Sequence, residues 1–254
     1  EARYRGQKVV VVSPDYAGHT KFADHWLPAR AGTDAALAMA MGHVILKEFF
    51  VERETPRFRD YARRFTDLPF LVRLEPHGDG YRAGAMLRAS DLGQGGENDE
   101  WRTVVLDARS GEPVAPNGTI ADRWGEAGEG QWNLDLEGIE PELTLLGRHD
   151  AAVEVTLPRF DGGETEGGTT MRRGVPAMRI GNAVVTTVFD LALAQYGVQR
   201  EGLPGEWPSG YDDATQPHTP AWQEPLTGVD AGRCARIARE FASNAERTGG
   251  RSMI

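Results

Sequence analysis

Lys8 leads into four consecutive valines, Val9 to Val12, and the run stops at Ser13-Pro14-Asp15. Apolar on both faces and β-branched throughout, it predicts a buried strand of a parallel sheet. Gly32-Thr33-Asp34 then opens a helix through about Phe50, with Leu37, Met41, Val44 and Ile45 on one stripe. Thr33 suits the N-cap, and Asp34 stands where a negative charge favours the positive end of the helix dipole. The pattern is strand, unusually long loop, helix.

Arg57 to Leu74 reads as helical again, with Tyr61, Phe65 and Leu68 on one side and arginines between them. From Gly78 to Gly181 the period changes. Short runs such as Thr103-Val104-Val105-Leu106 and Val153-Glu154-Val155-Thr156-Leu157 alternate with Gly93-Gln94-Gly95-Gly96, Gly162-Gly163 and Gly167-Gly168, predicting irregular β structure with exposed loops. Val184 to Val188 reads as a strand, followed by a helix to Tyr196 that Gly197 would end. Thr219-Pro220 begins a short helix stopped by Gly228, and Asp230 caps a longer one. That last helix carries Cys234, Ile237, Ala238 and Phe241 on one face and ends at Gly249-Gly250, after which Arg251 to Ile254 resemble a strand opening. The fold class expected is α/β, a partial Rossmann-like parallel sheet with an irregular β-rich insertion. Its segments would be 1–75, an α/β part, 76–182, the insertion, and 183–254, a second α/β part.

Composition narrows the function. The 254 residues, 40% of them hydrophobic, suffice for a real core. A net charge of -10, spread along the chain, argues against nucleic acid as a partner. One cysteine excludes an internal disulfide, a multi-cysteine zinc site and a self-contained iron–sulfur cluster within these residues. The abrupt ends, Glu1-Ala2-Arg3 and Ser252-Met253-Ile254, read as those of a piece of something longer.

The candidate chemistry is sparse. Asp15 lies just past the carboxyl end of a parallel strand, where open α/β sheets bind ligands and an acid accepts hydrogen bonds from ribose hydroxyls. A turn-forming Asp after Ser-Pro explains it as well, and a dipole-satisfying Asp explains Asp34. A carboxylate at Asp34 could also accept the N1–H and amino edge of guanine. G-x-G-x-x-G, the P-loop, the serine-hydrolase elbow and H-E-x-x-H do not occur. His19, His25 and His43 lack metal-ligand spacing and read as loop or helix-surface residues. Cys234 reads as a small core residue. Asp212-Asp213 and Glu164-Thr165-Glu166 read as solvated loop acids, and Trp101, Trp124 and Trp132 as packing anchors. Composition and spacing alone support an α/β segment with a candidate nucleotide loop.

Longer stretches carry a resemblance. Ser13-Pro14-Asp15, Ala23-Asp24-His25-Trp26-Leu27-Pro28 and Gly32-Thr33-Asp34 before an alanine-rich helix resemble the molybdopterin oxidoreductases. Tyr61 to Val72, Ala83 to Ala89, Val114 to Ile120, Arg123-Trp124-Gly125-Glu126, Val184 to Asp190, Thr219-Pro220-Ala221-Trp222 and Ile237 to Ala242 with Gly250 to Ile254 are similar to alpha subunits of membrane-bound respiratory nitrate reductases. The resemblance covers essentially the whole chain.

It implies a molybdenum bis-(molybdopterin guanine dinucleotide) cofactor, with Asp15 toward ribose, Asp34 toward the guanine edge, and Ser13 and Thr33 as nearby hydroxyl donors. It implies reduction of nitrate to nitrite by oxygen-atom transfer in anaerobic respiration, with electrons from quinol. Partners would be an iron–sulfur beta subunit and a heme-bearing membrane gamma subunit, at the cytoplasmic face of the membrane. The family's 4Fe-4S ligands and molybdenum ligand would precede Glu1, so no catalytic and no metal-ligating residue is assigned here, and the chain alone is expected to be inactive. A formate dehydrogenase or selenate reductase type is the alternative within the superfamily. A non-catalytic interaction segment using the Gly-rich middle is the alternative outside it.

Overall fold

A computed structural model describes residues 3–16, 18–93, 96, 98–116, 136, 138–161 and 169–254. Asn117 to Ile120, Arg123-Trp124-Gly125-Glu126, Trp132, Gln94-Gly95, Gly162-Gly163, Gly167-Gly168 and Glu164-Thr165-Glu166 lie outside the described residues. The class is mixed α/β, in two compact units: 1–52 with 196–198 and 207–254, and 53–195 with 199–206. No helix among the described residues is long and apolar enough to cross a membrane.

In the first unit β1 (Val10–Val12) pairs in parallel with β2 (His25–Leu27), Val11 beside Trp26. The long loop expected after the valines therefore holds a second strand. Three residues are too few for a readable period, and His25 and Trp26 obscured the apolar signal. The valines are also less enclosed than expected: β1 is half-buried and Val12 is 45% exposed. A two-stranded ribbon has one layer packed on it among the described residues. That layer is α1 (Asp34–Leu46), continued by a π-helical turn over Lys47–Val51, and α5 (Ala231–Thr248). Leu27, Ala29, Leu37, Ala40, Val229, Cys234 and Ile237 form the shared core, with Val10 and Met41 against it. Between the two helices, α4 (Pro220–Thr227) starts as its Thr219-Pro220 signal requires, Thr219 Oγ1 accepting the Trp222 amide at 3.0 Å. Gly228, at φ 78°, ends it in a conformation glycine adopts without strain. Arg251 to Ile254 form no strand; Asn244 Nδ2 instead donates to Arg251 O and Ser252 Oγ, both at 2.9 Å.

The second unit corrects three expectations. Helix α2 (Pro56–Phe65) stops short of Leu74, and Leu71–His77 is strand β3. Thr66 breaks the helix, its hydroxyl donating to Ala62 O at 2.6 Å and accepting the Leu68 amide at 3.2 Å. Pro69 then disfavours helical backbone at Leu68. Within the stretch read as irregular, β4 (Gly80–Met86), β7 (Ala151–Pro158) and β8 (Thr170–Ile180) are regular strands, and with β3 and β9 (Ala183–Thr187) they close a five-stranded barrel. Its pairs are antiparallel except β4 with β7. A small ribbon of β5 (Val105–Leu106) and β6 (Pro113–Val114) adds Leu106 to a core with Leu71, Leu87, Val104, Leu145 and Val185. The barrel's last strand leads directly into α3 (Val188–Gln195). Trp101 is no packing anchor: the residue is 55% exposed while its backbone is used, the carbonyl accepting Arg88 Nη1 at 2.7 Å.

Candidate functional site

Parallel pairing brings the carboxyl ends of β1 and β2 to one edge. Ser13 to Asp15 follow the first strand there, and the loop after the second runs into the N-terminus of α1. Two bonds lock the strand ends together, Ser13 N donating to Leu27 O at 3.1 Å and Trp26 Nε1 to Ser13 O at 2.8 Å. Asp24 ties the opposite ends. Its carboxylate accepts the Val9 amide at 2.8 Å and pairs with Arg3 at 3.1 Å, and the Val9 bond first, then the Arg3 charge, hold it below the usual carboxylate range.

The four residues singled out in the sequence fall into two kinds. The Ser13 hydroxyl is spent on the turn, donating to Asp15 O at 3.2 Å and accepting the Asp15 amide at 3.3 Å. Thr33 occupies the N-cap position without capping; its Oγ1 donates instead to Arg30 O at 2.7 Å. Their hydroxyl protons are thus committed to the backbone. Asp15 and Asp34 differ: both are exposed, and neither carboxylate has a partner among the described residues. Thr33 leaves the first amides of α1 without a side-chain cap, so the positive end of the helix dipole faces outward beside Asp34. Open acceptors beside uncapped amides suit a ligand that brings hydroxyl and N–H donors together with negative charge. That is the donor set of a ribonucleotide carrying an amide-type base edge, so these residues fit the guanosine part of the implied cofactor.

Arg30 is a site residue that the sequence reading missed. Its guanidinium Nη1 donates to the carbonyls of Pro225 and Leu226, and its amide to Thr227 O at 2.9 Å. These are the last carbonyls of α4, at the negative end of its dipole, where a cation is welcome. The same residue's carbonyl accepts the Thr33 amide and hydroxyl, so Arg30 fastens the loop presenting Asp34 to a helix far away in sequence. Gly228 and the orphan carbonyls before it were visible in the sequence; which arginine would find them was not.

The remaining candidates have structural roles. His43 is buried rather than on the surface, and its Nδ1 donates to Tyr196 O at 2.7 Å while its ring meets Tyr211 edge-on. His25 stands beside Arg236. No group of three or more His, Cys, Asp or Glu among the described residues could hold a metal ion. Cys234 is fully buried, and burial pushes its thiol up to about 12. Asp213 accepts from Thr215 and Ser209, an arrangement that stiffens its loop and holds its carboxyl far below the usual range.

Comparison with known proteins places this edge in context. A profile described as Molybdopterin oxidoreductase matches residues 1–202. The nitrate reductase alpha subunit of Mycobacterium tuberculosis (strain H37Rv) is 55% identical over 261 residues, covering 100% of this chain and 21% of its own length. The nitrate reductase alpha chain of Bacillus subtilis is 46% identical over 264 residues, with coverage of 100% and 21%. The respiratory nitrate reductase 1 alpha chain of Escherichia coli is 46% identical over 274 residues, with coverage of 100% and 22%. The chain thus spans about a fifth of the length of these relatives.

Proposed function

The chain belongs to the molybdopterin oxidoreductase family, and from that premise we propose that it is part of a respiratory nitrate reductase alpha subunit. In this reading the subunit reduces nitrate to nitrite with electrons from quinol. The observation that carries it is identity of 46–55% to nitrate reductase alpha subunits across the whole chain. Bound, the group supplies a molybdenum centre for oxygen-atom transfer. The chain's own residues would hold its nucleotide end in the guanine dinucleotide form. Asp15 would accept the ribose hydroxyls, and Asp34 the N1–H and amino edge of guanine, a pairing adenine cannot offer. The uncapped amides of α1 add favourable potential for phosphate, and Arg30 keeps the Asp34 loop in register. The subunit would carry a 4Fe-4S cluster on residues of its own outside this chain, and work with an iron–sulfur beta subunit and a heme-bearing gamma subunit at the cytoplasmic face of the membrane.

The test uses the assembled complex with Asp34→Asn in its alpha subunit. The amide keeps the shape but removes one acceptor and the charge. Guanine nucleotide released by acid should fall about tenfold or more, the size expected for losing a hydrogen bond to a charged group. Nitrate reduction with reduced viologen should fall with it. Full nucleotide content and rate in both Asp15→Asn and Asp34→Asn would overturn the assignment of this edge.

A further inference from the structure

A nucleoside has edges and faces. The carboxylates of Asp15 and Asp34 answer its edges, and nothing described so far answers its faces. The residue directly after Asp15 is Tyr16, an aromatic residue 63% exposed. An exposed tyrosine on a loop is ordinary; this one is held in place. Its ring meets Trp26 edge-on, with centroids 5.2 Å apart and planes at 65°. Trp26 in turn is fixed by strand pairing with Val11 and by its indole N–H on Ser13 O at 2.8 Å. Ser13 through its carbonyl and Tyr16 through its ring, one before Asp15 and one after it, therefore both meet the same tryptophan.

The register shows which way this points. Val10 and Leu27 enter the core under α1 and α5. Side chains alternate along a strand, so Trp26 lies on the other face of the ribbon, and Tyr16 with it. The helix N-terminus bearing Asp34 belongs to the first face, and Tyr16 to the second. The carboxyl edge of β1 and β2 is thus flanked by an uncapped helix start on one side and a pinned aromatic ring on the other, with Asp15 next to the ring in sequence.

Resting on the reading of this edge as a nucleotide site, we infer that Tyr16 packs its ring against the nucleoside of the bound dinucleotide. Aromatic faces stack on bases without regard to identity. Tyr16 would therefore supply hold rather than choice, leaving discrimination of guanine to Asp34. Because Trp26 has already fixed the ring, little side-chain freedom is lost when the ligand arrives.

The experiment uses the full alpha subunit in its complex. A benzophenone-bearing amino acid is placed at position 16 by amber suppression, the complex is irradiated, and peptides spanning that position are searched by mass spectrometry for a guanosine adduct. In parallel, nucleotide content is measured for Tyr16→Phe, Tyr16→Ala and Asp34→Asn. Expected are an adduct, full content for Tyr16→Phe, and content lowered about tenfold for Tyr16→Ala, in line with a lost base–aromatic stack. A purely structural tyrosine would lower content without giving an adduct. No adduct, with only Asp34→Asn losing nucleotide, would overturn the role of Tyr16 and leave the site standing. Full content in Tyr16→Ala and Asp34→Asn alike would overturn both.

Discussion

Asp190 and Arg200 in the barrel unit offer the sharpest energetic test. Both are buried, Asp190 completely and Arg200 to within 5%. The carboxylate accepts Arg200 Nη1 and Thr144 Oγ1 on one oxygen and the Leu145 amide, at 2.9 Å, on the other. Arg200 Nε and Nη2 find no acceptor among the described residues, so its charge depends on this one carboxylate and on Thr144 Oγ1 at 2.9 Å. Asp190→Ala strands a buried cation and the Leu145 amide together. Removing one partner of a buried pair costs about 3–5 kcal/mol. At about 1.4 kcal/mol per factor of ten, local opening should become roughly a hundred to several thousand times more frequent. Amide hydrogen exchange of the purified protein, read on peptides spanning 141–146 and 188–195, measures that opening directly. The double variant Asp190→Leu with Arg200→Met removes both charges and should recover much of the loss. Unchanged exchange in Asp190→Ala, or a double variant as damaging as the two single changes added, would refute the charge argument.

Two further outcomes follow from burial and hydrogen bonding. Cys234, with its thiol pushed up to about 12 and its side chain fully enclosed, should resist iodoacetamide at pH 8 in the native protein and react fully in denaturant; rapid native labelling would contradict the packing of α5 on α1. Asp107 is held down at about 2, first by the Glu140 amide and then by Ser110, against burial that opposes it. A carboxyl lowered on folding stabilises above its unfolded value near 4, and that stabilisation is lost as pH falls from there through about 2. Asp107→Asn should therefore flatten the acid limb of exchange protection in peptides spanning 105–113, and an identical limb in the variant would remove Asp107 as its source.

The helices were legible because their signals are local. Thr219-Pro220, Gly228, Asp230 and Gly249 each act within one turn, and each marks the boundary observed. The strands were legible where β-branched runs stand out, as at Val9 to Val12 and Val184 to Val188. His25–Leu27 is three residues, and Leu71-Val72-Arg73-Leu74 satisfies a helical period as well as a strand; Thr66 and Pro69 decide it. The barrel could not be read at all, because its seams join residues that no window spans. Of the site, the two carboxylates were visible as residues at an edge. What Ser13 and Thr33 do with their hydroxyls depends on neighbouring carbonyls, and Arg30 and Trp26 depend on partners brought by folding.

The seams of the barrel carry a consequence for how the chain assembles. β3 and β4 form a hairpin, and β7, β8 and β9 a meander, each from neighbours in sequence. The ring closes only when these two pieces meet twice, Leu71 beside Thr187 and Tyr81 beside Val155. Contacts so far apart along the chain form late. Until they do, both pieces present bare strand edges, the surfaces through which polypeptides aggregate. The interval between meander and ring is therefore the most vulnerable moment in the life of this unit, and its end is all-or-none, since a ring with one seam open still has two edges.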